Sequence, residues 1–244
     1  MKISHEQKLE RKLISRLNKA IYQFRLIDDN DKVLIGLSGG KDSLFLLEML
    51  AKRARIQHPQ FSVEAIHIRM ENIKYESDTT YLKQFAQEFG VPLHIVTTSF
   101  DASTDKRKSP CFLCSWNRRK QMFNFAQEHG FNKIALGHHQ DDIIHTALMN
   151  QFFQGHFSTM PAKLKYKKMP LYIIRPLCME QENDIREYAR IRHYQKQKIL
   201  CPYETDSHRN EIKNLFEKIE EMNPEARYSI WNSLISENKL IEEY

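Results

Sequence analysis

A short apolar run, Lys32–Leu37 (KVLIGL), passes without a linker into Ser38-Gly39-Gly40-Lys41-Asp42-Ser43. A helix-period stretch to Arg53 follows, with Leu46, Leu47 and Leu50 on its inner side. A β-branched run of this length reads as a buried strand and the leucine spacing as a helix, so the chain must turn within a few residues. Two glycines let the backbone turn tightly and bring its N–H groups toward an anion, with no Cβ in the way. The N-terminus of the next helix adds free amides and the positive end of its dipole. Ser38 and Ser43 offer hydroxyls and Lys41 a full charge, whereas Asp42 must face a cation or cap the helix. The loop is not a Walker A loop, because Ile35 stands where that pattern needs Gly and Asp42 where it needs Ser or Thr.

The rest of the chain continues this alternation. Strands are expected at Ser62–Ile68, Leu93–Thr97, Lys133–Leu136 and Leu171–Ile174, the last ending an irregular hairpin over Met160–Leu177. Helices are expected at His5–Ile27, Asp78–Phe89, Arg118–His129, Ile143–Phe153, Asp184–Arg192, Asn210–Met222 and Pro224–Ile235. The fold class is therefore α/β, a doubly wound parallel sheet with helices on both faces. Residues 1–30 are expected to form an N-terminal helical extension and 31–244 the main domain. Ligands in such folds bind at the carboxyl ends of strands. A second motif, Gly137-His138-His139-Gln140-Asp141-Asp142, also follows a strand directly and is expected at the same edge. Asp141 or Asp142 either holds Mg²⁺ or caps the helix that follows, and the sequence leaves both readings open.

The net charge is +6, which suits an anionic partner. No Asp or Glu occurs from Ile143 through Met179, a stretch that contains Lys163, Lys165, Lys167, Lys168 and Arg175. These four lysines, with Arg118, Arg119 and Lys120, are the candidate contacts to RNA phosphates; an ordinary basic surface is the alternative. No apolar run of about 18 residues appears, so no membrane span is expected. The start MKISHEQKLERKL has no apolar secretory core. The expected compartment is the cytoplasm.

Four cysteines in such a chain are not a disulfide framework. Cys111-Phe-Leu-Cys114 places two thiols one short turn apart among Lys106, Arg107, Lys108, Arg118, Arg119 and Lys120. Cationic surroundings favour thiolate, hence metal ligation or nucleophilicity. A zinc half-site, a redox pair and simple packing all remain compatible with the spacing. Cys201 becomes a third ligand if the fold returns it to the same place, and Cys178 reads as a core residue. Three thiolates without a fourth favour a cluster with an open iron over a closed zinc site.

The six residues Ser38–Ser43 resemble the PP-loop signature of ATP pyrophosphatases. Together with the CxxC ahead of NRRK, IALGHHQDDI, MPAKL, IIRPL and a late single cysteine, they resemble the TtcA family of tRNA 2-thiocytidine synthetases from about Arg16 to Ile235. Members of that family carry a second cysteine pair late in the chain, where this sequence has only Cys201. The resemblance implies ATP and Mg²⁺, bound through Ser38, Gly39, Gly40, Lys41, Asp42, Ser43, Gly137, His138, Asp141 and Asp142. It implies a [4Fe–4S] cluster on Cys111, Cys114 and Cys201, which with Lys41 and Asp42 carry the chemistry. The implied reaction replaces the 2-oxo group of cytidine 32 of a tRNA with sulfur drawn from a cysteine desulfurase, in a homodimer. A lysidine synthetase-like ligase and a non-catalytic, zinc-stabilised RNA-binding protein are the alternatives.

Overall fold

The computed structural model describes residues 4–56, 58–75, 79–101, 103, 109–167, 169–200 and 208–243. The elements are α1 (His5–Gln23), β1 (Lys32–Gly36), α2 (Lys41–Ala54), β2 (Ser62–Met70), β3 (Lys74–Tyr75), α3 (Thr80–Glu88), β4 (Leu93–Thr98), α4 (Pro110–Glu128) and β5 (Lys133–Ala135). They continue with α5 (Gln140–Gln154), β6 (Lys163–Lys165), β7 (Tyr172–Ile174), α6 (Glu182–Ile191), β8 (Ile199–Leu200), α7 (His208–Met222), α8 (Ala226–Ser236) and β9 (Ile241–Glu242).

The main sheet has the order β4-β2-β1-β5-β7-β6-β9. Its first five strands are mutually parallel, β6 runs antiparallel to β7, and β9 is parallel to β6. The doubly wound sheet is thus present, with an antiparallel addition at one edge. From β1 the chain steps to β2 and β4 on one side and later returns to β5 and β7 on the other. The order reverses between β1 and β5, and a crevice opens outside the carboxyl ends of strands at such a point.

Burial on both faces explains the uninterrupted apolar run of β1. Val33 and Ile35 join a cluster with Leu44, Leu46 and Leu47 of α2, while Leu34 joins Ile66, Ile134, Ile173 and Phe123 on the opposite face. Helix α1 starts at a capping box of Ser4 and Gln7. Its stripe of Leu9, Leu13, Leu17, Ala20 and Ile21 belongs to the same cluster as β1 and α2. Lys12 and Arg16 meet Asp184 of α6 at 2.7 and 2.6 Å, so α1 packs on its own chain. Beneath the first motif, the buried Glu48 carboxylate accepts from Tyr188 (2.8 Å) and Tyr194 (2.6 Å) and meets Lys52 at 2.7 Å. This joint fixes α2 against α6.

The structure moves one expected boundary in a way that matters. Helix α4 begins at Pro110, eight residues before Arg118, so Cys111 and Cys114 lie within its opening residues and not in a preceding loop. Ser109 is the cap: its side chain accepts from the Phe112 amide at 3.2 Å, and Pro110 takes the first helical position. A serine followed by proline is a helix-start signal. Cys178 is fully buried just after β7, as expected of a core residue, and burial pushes its thiol pKa up.

Candidate functional site

Both motifs lie at the switch point. After β1, Leu37 still donates to Ile66 O at 2.9 Å, and the chain then bends through Ser38-Gly39-Gly40 into α2. Gly39 has φ +87°, where a side chain would be strained. A Cβ on Gly39 would also stand 2.8 Å from Gln197 Cβ. The Ser43 side chain braces the bend from within: its hydroxyl donates to Gly40 O (2.9 Å) and accepts from the Gly39 amide (3.2 Å). Ser38 is exposed and Gly40 half-buried, whereas Gly39 is covered by Gln197, whose backbone N–H donates to Gly39 O at 3.2 Å. The Gln197 side chain is 5% exposed, and neither of its amide atoms has a hydrogen-bond partner among the described residues.

The second motif abuts the first through backbone. A Cβ on Gly137 would lie 3.0 Å from the carbonyl carbon and oxygen of Asp42 and 3.1 Å from the Ser43 amide. Glycine at this position is what allows β5 to deliver its motif against the start of α2.

A shell of ion pairs surrounds the junction. Lys41 Nζ sits 3.1 Å from Asp42 Oδ2 and 3.1 Å from Glu182 Oε1. Burial works to lower the Lys41 pKa, but the Asp42 and Glu182 carboxylates outweigh it and raise it. Glu182 also meets Lys213 (2.9 Å) and Arg186 (3.0 Å). Burial would raise its pKa, yet hydrogen bonds from Lys213, Arg186 and Lys41 hold it near 2. His139 lies 3.5 Å from Asp141, 3.5 Å from Asp142 and 3.9 Å from Asp42. Burial opposes its charged form, and those three carboxylates nevertheless raise its pKa.

These contacts separate the roles of the acidic residues. Asp141 meets Arg227 at 2.8 Å and accepts the Glu182 amide at 2.7 Å, so it ties α8 and α6 to the motif. Asp142 accepts the His139 amide at 3.1 Å, as a helix cap, and pairs with Arg209. Asp42 Oδ1 is buried with no hydrogen-bond partner among the described residues. A buried acceptor without a donor suits a cation, so Asp42 fits Mg²⁺ better than Asp141 does. His138 accepts from Arg175 Nε at 3.3 Å. Burial, then the Arg175 charge, pull the His138 pKa down to about 4, leaving the ring neutral at physiological pH.

Beside the bend is a cleft of about 160 Å³ lined by Ser38, Ile66, His67, Ile68, Arg118 and Met122. The His67 ring is held by Leu37 O at 2.7 Å, and its Nε2 has no hydrogen-bond partner among the described residues. Arg118 and Met122 place α4 in this cleft. Cys111 and Cys114 share that side of the helix, with Cys111 about 10 Å along the axis from Arg118 at 1.5 Å per residue. Cys111 is exposed. Cys114 and Leu113 pack against Met70, Ile73 and Phe100. Next to Ile73, Lys74 pairs with Leu200 in the short antiparallel β3–β8 ladder. Leu200 immediately precedes Cys201, which lies outside the described residues, as does Lys168.

The candidate RNA-contacting residues divide between the two edges of the sheet. Lys163 opposes Ile174, at the carboxyl end of β7, but it pairs with Glu243 at 2.9 Å and covers the Tyr172 ring at 5.0 Å. Lys165 opposes Tyr172, at the amino end, and Lys167 follows it into a turn closed by Tyr166 N to Leu171 O at 2.9 Å. That turn lies at the edge opposite the two motifs, because β6 runs against β7. Arg118, Arg119 and Lys120, on the first half of α4, lie at the motif edge.

A glycine bend between the central strand and its helix, met by a second glycine motif across the switch point, defines a protein of the PP-loop class. A family model described as the PP-loop domain matches residues 6–198. The tRNA-cytidine(32) 2-sulfurtransferase of Bdellovibrio bacteriovorus is 35% identical over 236 residues, covering 95% of this chain and 90% of the relative. The tRNA-cytidine(32) 2-sulfurtransferase 1 of Francisella tularensis subsp. novicida is 34% identical over 245 residues, with 97% and 91% covered. Among solved structures, the U34-tRNA thiolase NcsA from Methanococcus maripaludis, with its [4Fe–4S] cluster, matches with a TM-score of 0.76 at 25% identity, covering 93% of this chain and 78% of that one. The chain belongs to the tRNA-cytidine(32) 2-sulfurtransferase family.

Proposed function

We propose that this chain is an ATP-dependent tRNA sulfurtransferase that adenylates the 2-oxo group of cytidine 32 and replaces that oxygen with sulfur. The observation that carries the reading is the sharing of one cleft by Ser38 of the bend and Arg118 and Met122 of the helix that bears Cys111 and Cys114. Phosphate and sulfur chemistry then meet at a single sheet edge.

The apolar walls of Ile66, Ile68 and Met122 suit the faces of adenine, and His67 Nε2 suits its amino group. The triphosphate lies over the bend, where Gly40 and the start of α2 present backbone amides. Lys41 exchanges its bonds to Asp42 and Glu182 for the departing pyrophosphate, where charge grows as the bond to the α-phosphorus breaks. The cytidine 2-oxo oxygen attacks that phosphorus. A sulfur nucleophile then adds at C2, and AMP leaves with the original oxygen. Asp42 would hold Mg²⁺, which would add to the neutralisation of the phosphates. The thiols fit the implied iron–sulfur group, since Cys111 and Cys114, three residues apart near the start of α4, lie on one side of that helix. Cys111 and Cys114, with Cys201, would hold the [4Fe–4S] cluster, which would supply a site for sulfur drawn from a cysteine desulfurase. No helix among the described residues is long and apolar enough to cross a membrane, and in this reading the enzyme works on tRNA in the cytoplasm.

Anaerobically purified protein, given ATP, Mg²⁺ and a sulfide source, is expected to release AMP and pyrophosphate only when tRNA is added. Release of ADP, or AMP release indifferent to tRNA, would remove the reading. Gly137→Ala is expected to lower the rate of AMP release roughly 100-fold, since displacements of about an ångström at a reacting site cost that much. Its cost to stability is about 1–3 kcal/mol, typical of overpacking. Unchanged turnover in this variant contradicts the backbone abutment of the two motifs.

A further inference from the structure

We infer that Trp116, with Phe112 one turn before it, is a stacking platform for an unpaired base of the RNA substrate, and that Arg119 and Lys120 hold the phosphates beside that base. The inference rests on the tRNA reading above and adds the residues that receive the splayed loop.

Position comes first. The chain leaves β4 at its carboxyl end and re-enters the sheet at the amino end of β5, so α4 runs antiparallel to the strands. Its first half therefore lies at the motif edge. Arg118 reaches the cleft, and Trp116 is only about 3 Å from it along the axis, though turned to another flank of the helix. Phe112, Trp116, Arg119 and Lys120 fall within an arc of about 100° at 100° per residue.

Exposure is the second observation. Trp116 is 50% exposed and Phe112 47%, whereas Phe123 in the same arc is 5% exposed and meets the Tyr166 ring at a tilt, 4.7 Å between centroids. The aromatic stripe thus runs on past the part of the helix that the sheet covers. The half-exposed Trp116 ring offers a flat apolar face to a partner.

Charge identifies the occupant. Helix α4 has no acidic residue before Glu128 and carries Arg118, Arg119 and Lys120 in succession. Lys120 Nζ already rests 5.3 Å from the Trp116 ring centroid, so cation and π-face are offered together. Single-stranded RNA presents both complements, a base face and a phosphate, within one nucleotide. A second copy of this chain would bring another net +6 to a basic face. The target base must also leave its stack before C2 can react, and bases in a loop do so at least cost. A platform beside the cleft lowers that cost, whereas the Lys165–Lys167 turn at the far edge does not reach it.

The test uses the full chain with its cluster. The sequence has two tryptophans, and Trp231 is buried at 7% exposure, so a Trp231→Phe background reports on Trp116 alone. Its emission is expected to be quenched by an anticodon stem-loop RNA and far less by a fully paired hairpin of equal length at the same salt. Trp116→Ala is expected to raise the KM for tRNA roughly 5- to 100-fold, with the KM for ATP and the cluster absorbance unchanged; Trp116→Phe recovers most of the loss. Equal quenching by paired RNA, an unchanged KM for tRNA, or RNA-independent quenching that follows protein concentration and dimer mass would overturn the inference while leaving the tRNA reading intact. A protein that neither binds nor thiolates tRNA would overturn both.

Discussion

Alanine at Cys111 or at Cys114 is expected to reduce formation of the thionucleoside roughly a thousandfold or more, because ligands that act as a unit fail together. The two thiols sit three residues apart near the start of α4, so neither replaces the other. ATP affinity should be unaffected in both variants, since neither side chain lines the cleft beside the bend. Cys178→Ala is the control: its thiol is fully buried, with its pKa raised by burial, and the variant should lose some stability and little activity. Thiolation by either α4 variant at the parental rate would remove the cysteines from the chemistry. Liquid chromatography of tRNA nucleosides after a timed reaction, with ATP binding followed separately, makes the measurement.

Lys41→Met is expected to slow AMP release by roughly 10²–10³-fold, the range found when one donor to developing charge is removed. The ammonium stands 3.1 Å from two carboxylates, contacts that it gives up to reach the phosphates. The raised Lys41 pKa keeps it charged throughout the usual assay range, so its loss removes a full positive charge. Glu182 keeps Lys213 and Arg186 in the variant, which limits damage to the fold. Its carboxylate, held near 2, contributes stability that is present above the unfolded value near 4.5 and is lost as pH falls toward 2. At neutral pH, therefore, the loss in rate should far exceed the loss in stability. Lys41→Arg should not restore the rate, because a rigid planar fork does not replace a compact ammonium inside a tight bend. A single-turnover measurement isolates this step from product release.

The parts of this site that could be read in the sequence are those contiguous along the chain. KVLIGL with SGGKDS, and KIAL with GHHQDD, each carry strand, turn and helix within a few residues, so their common edge followed from fold rules alone. The cap of α4 was also readable: Ser109 before Pro110 marks a helix start, but the polar residues ahead of it suggested a loop. The ion-pair shell was not readable. Glu182, Arg209, Lys213 and Arg227 come from three helices that follow the motifs by tens of residues, and no spacing relates them to Lys41, Asp141 or Asp142. Gln197 over Gly39 and Arg175 on His138 are non-local in the same sense. The lysines of the β6–β7 hairpin show the opposite case. Their charge was evident, but strand direction decides which edge they occupy, and the antiparallel turn of β6 sends Lys165 and Lys167 away from the cleft.

The central claim, that the glycine bend and the thiols of α4 act together on one tRNA base, is tested most directly by nucleoside mass spectrometry of unmodified tRNA incubated with the cluster-loaded protein, Mg²⁺ and a sulfide source, with and without ATP. The expected product is 2-thiocytidine mapped to position 32, formed only with ATP and with about one AMP released per modified base, the ratio set by the adenylation scheme. Cytidine left intact while ATP is consumed, or a thionucleoside that forms equally well without ATP, would contradict that claim.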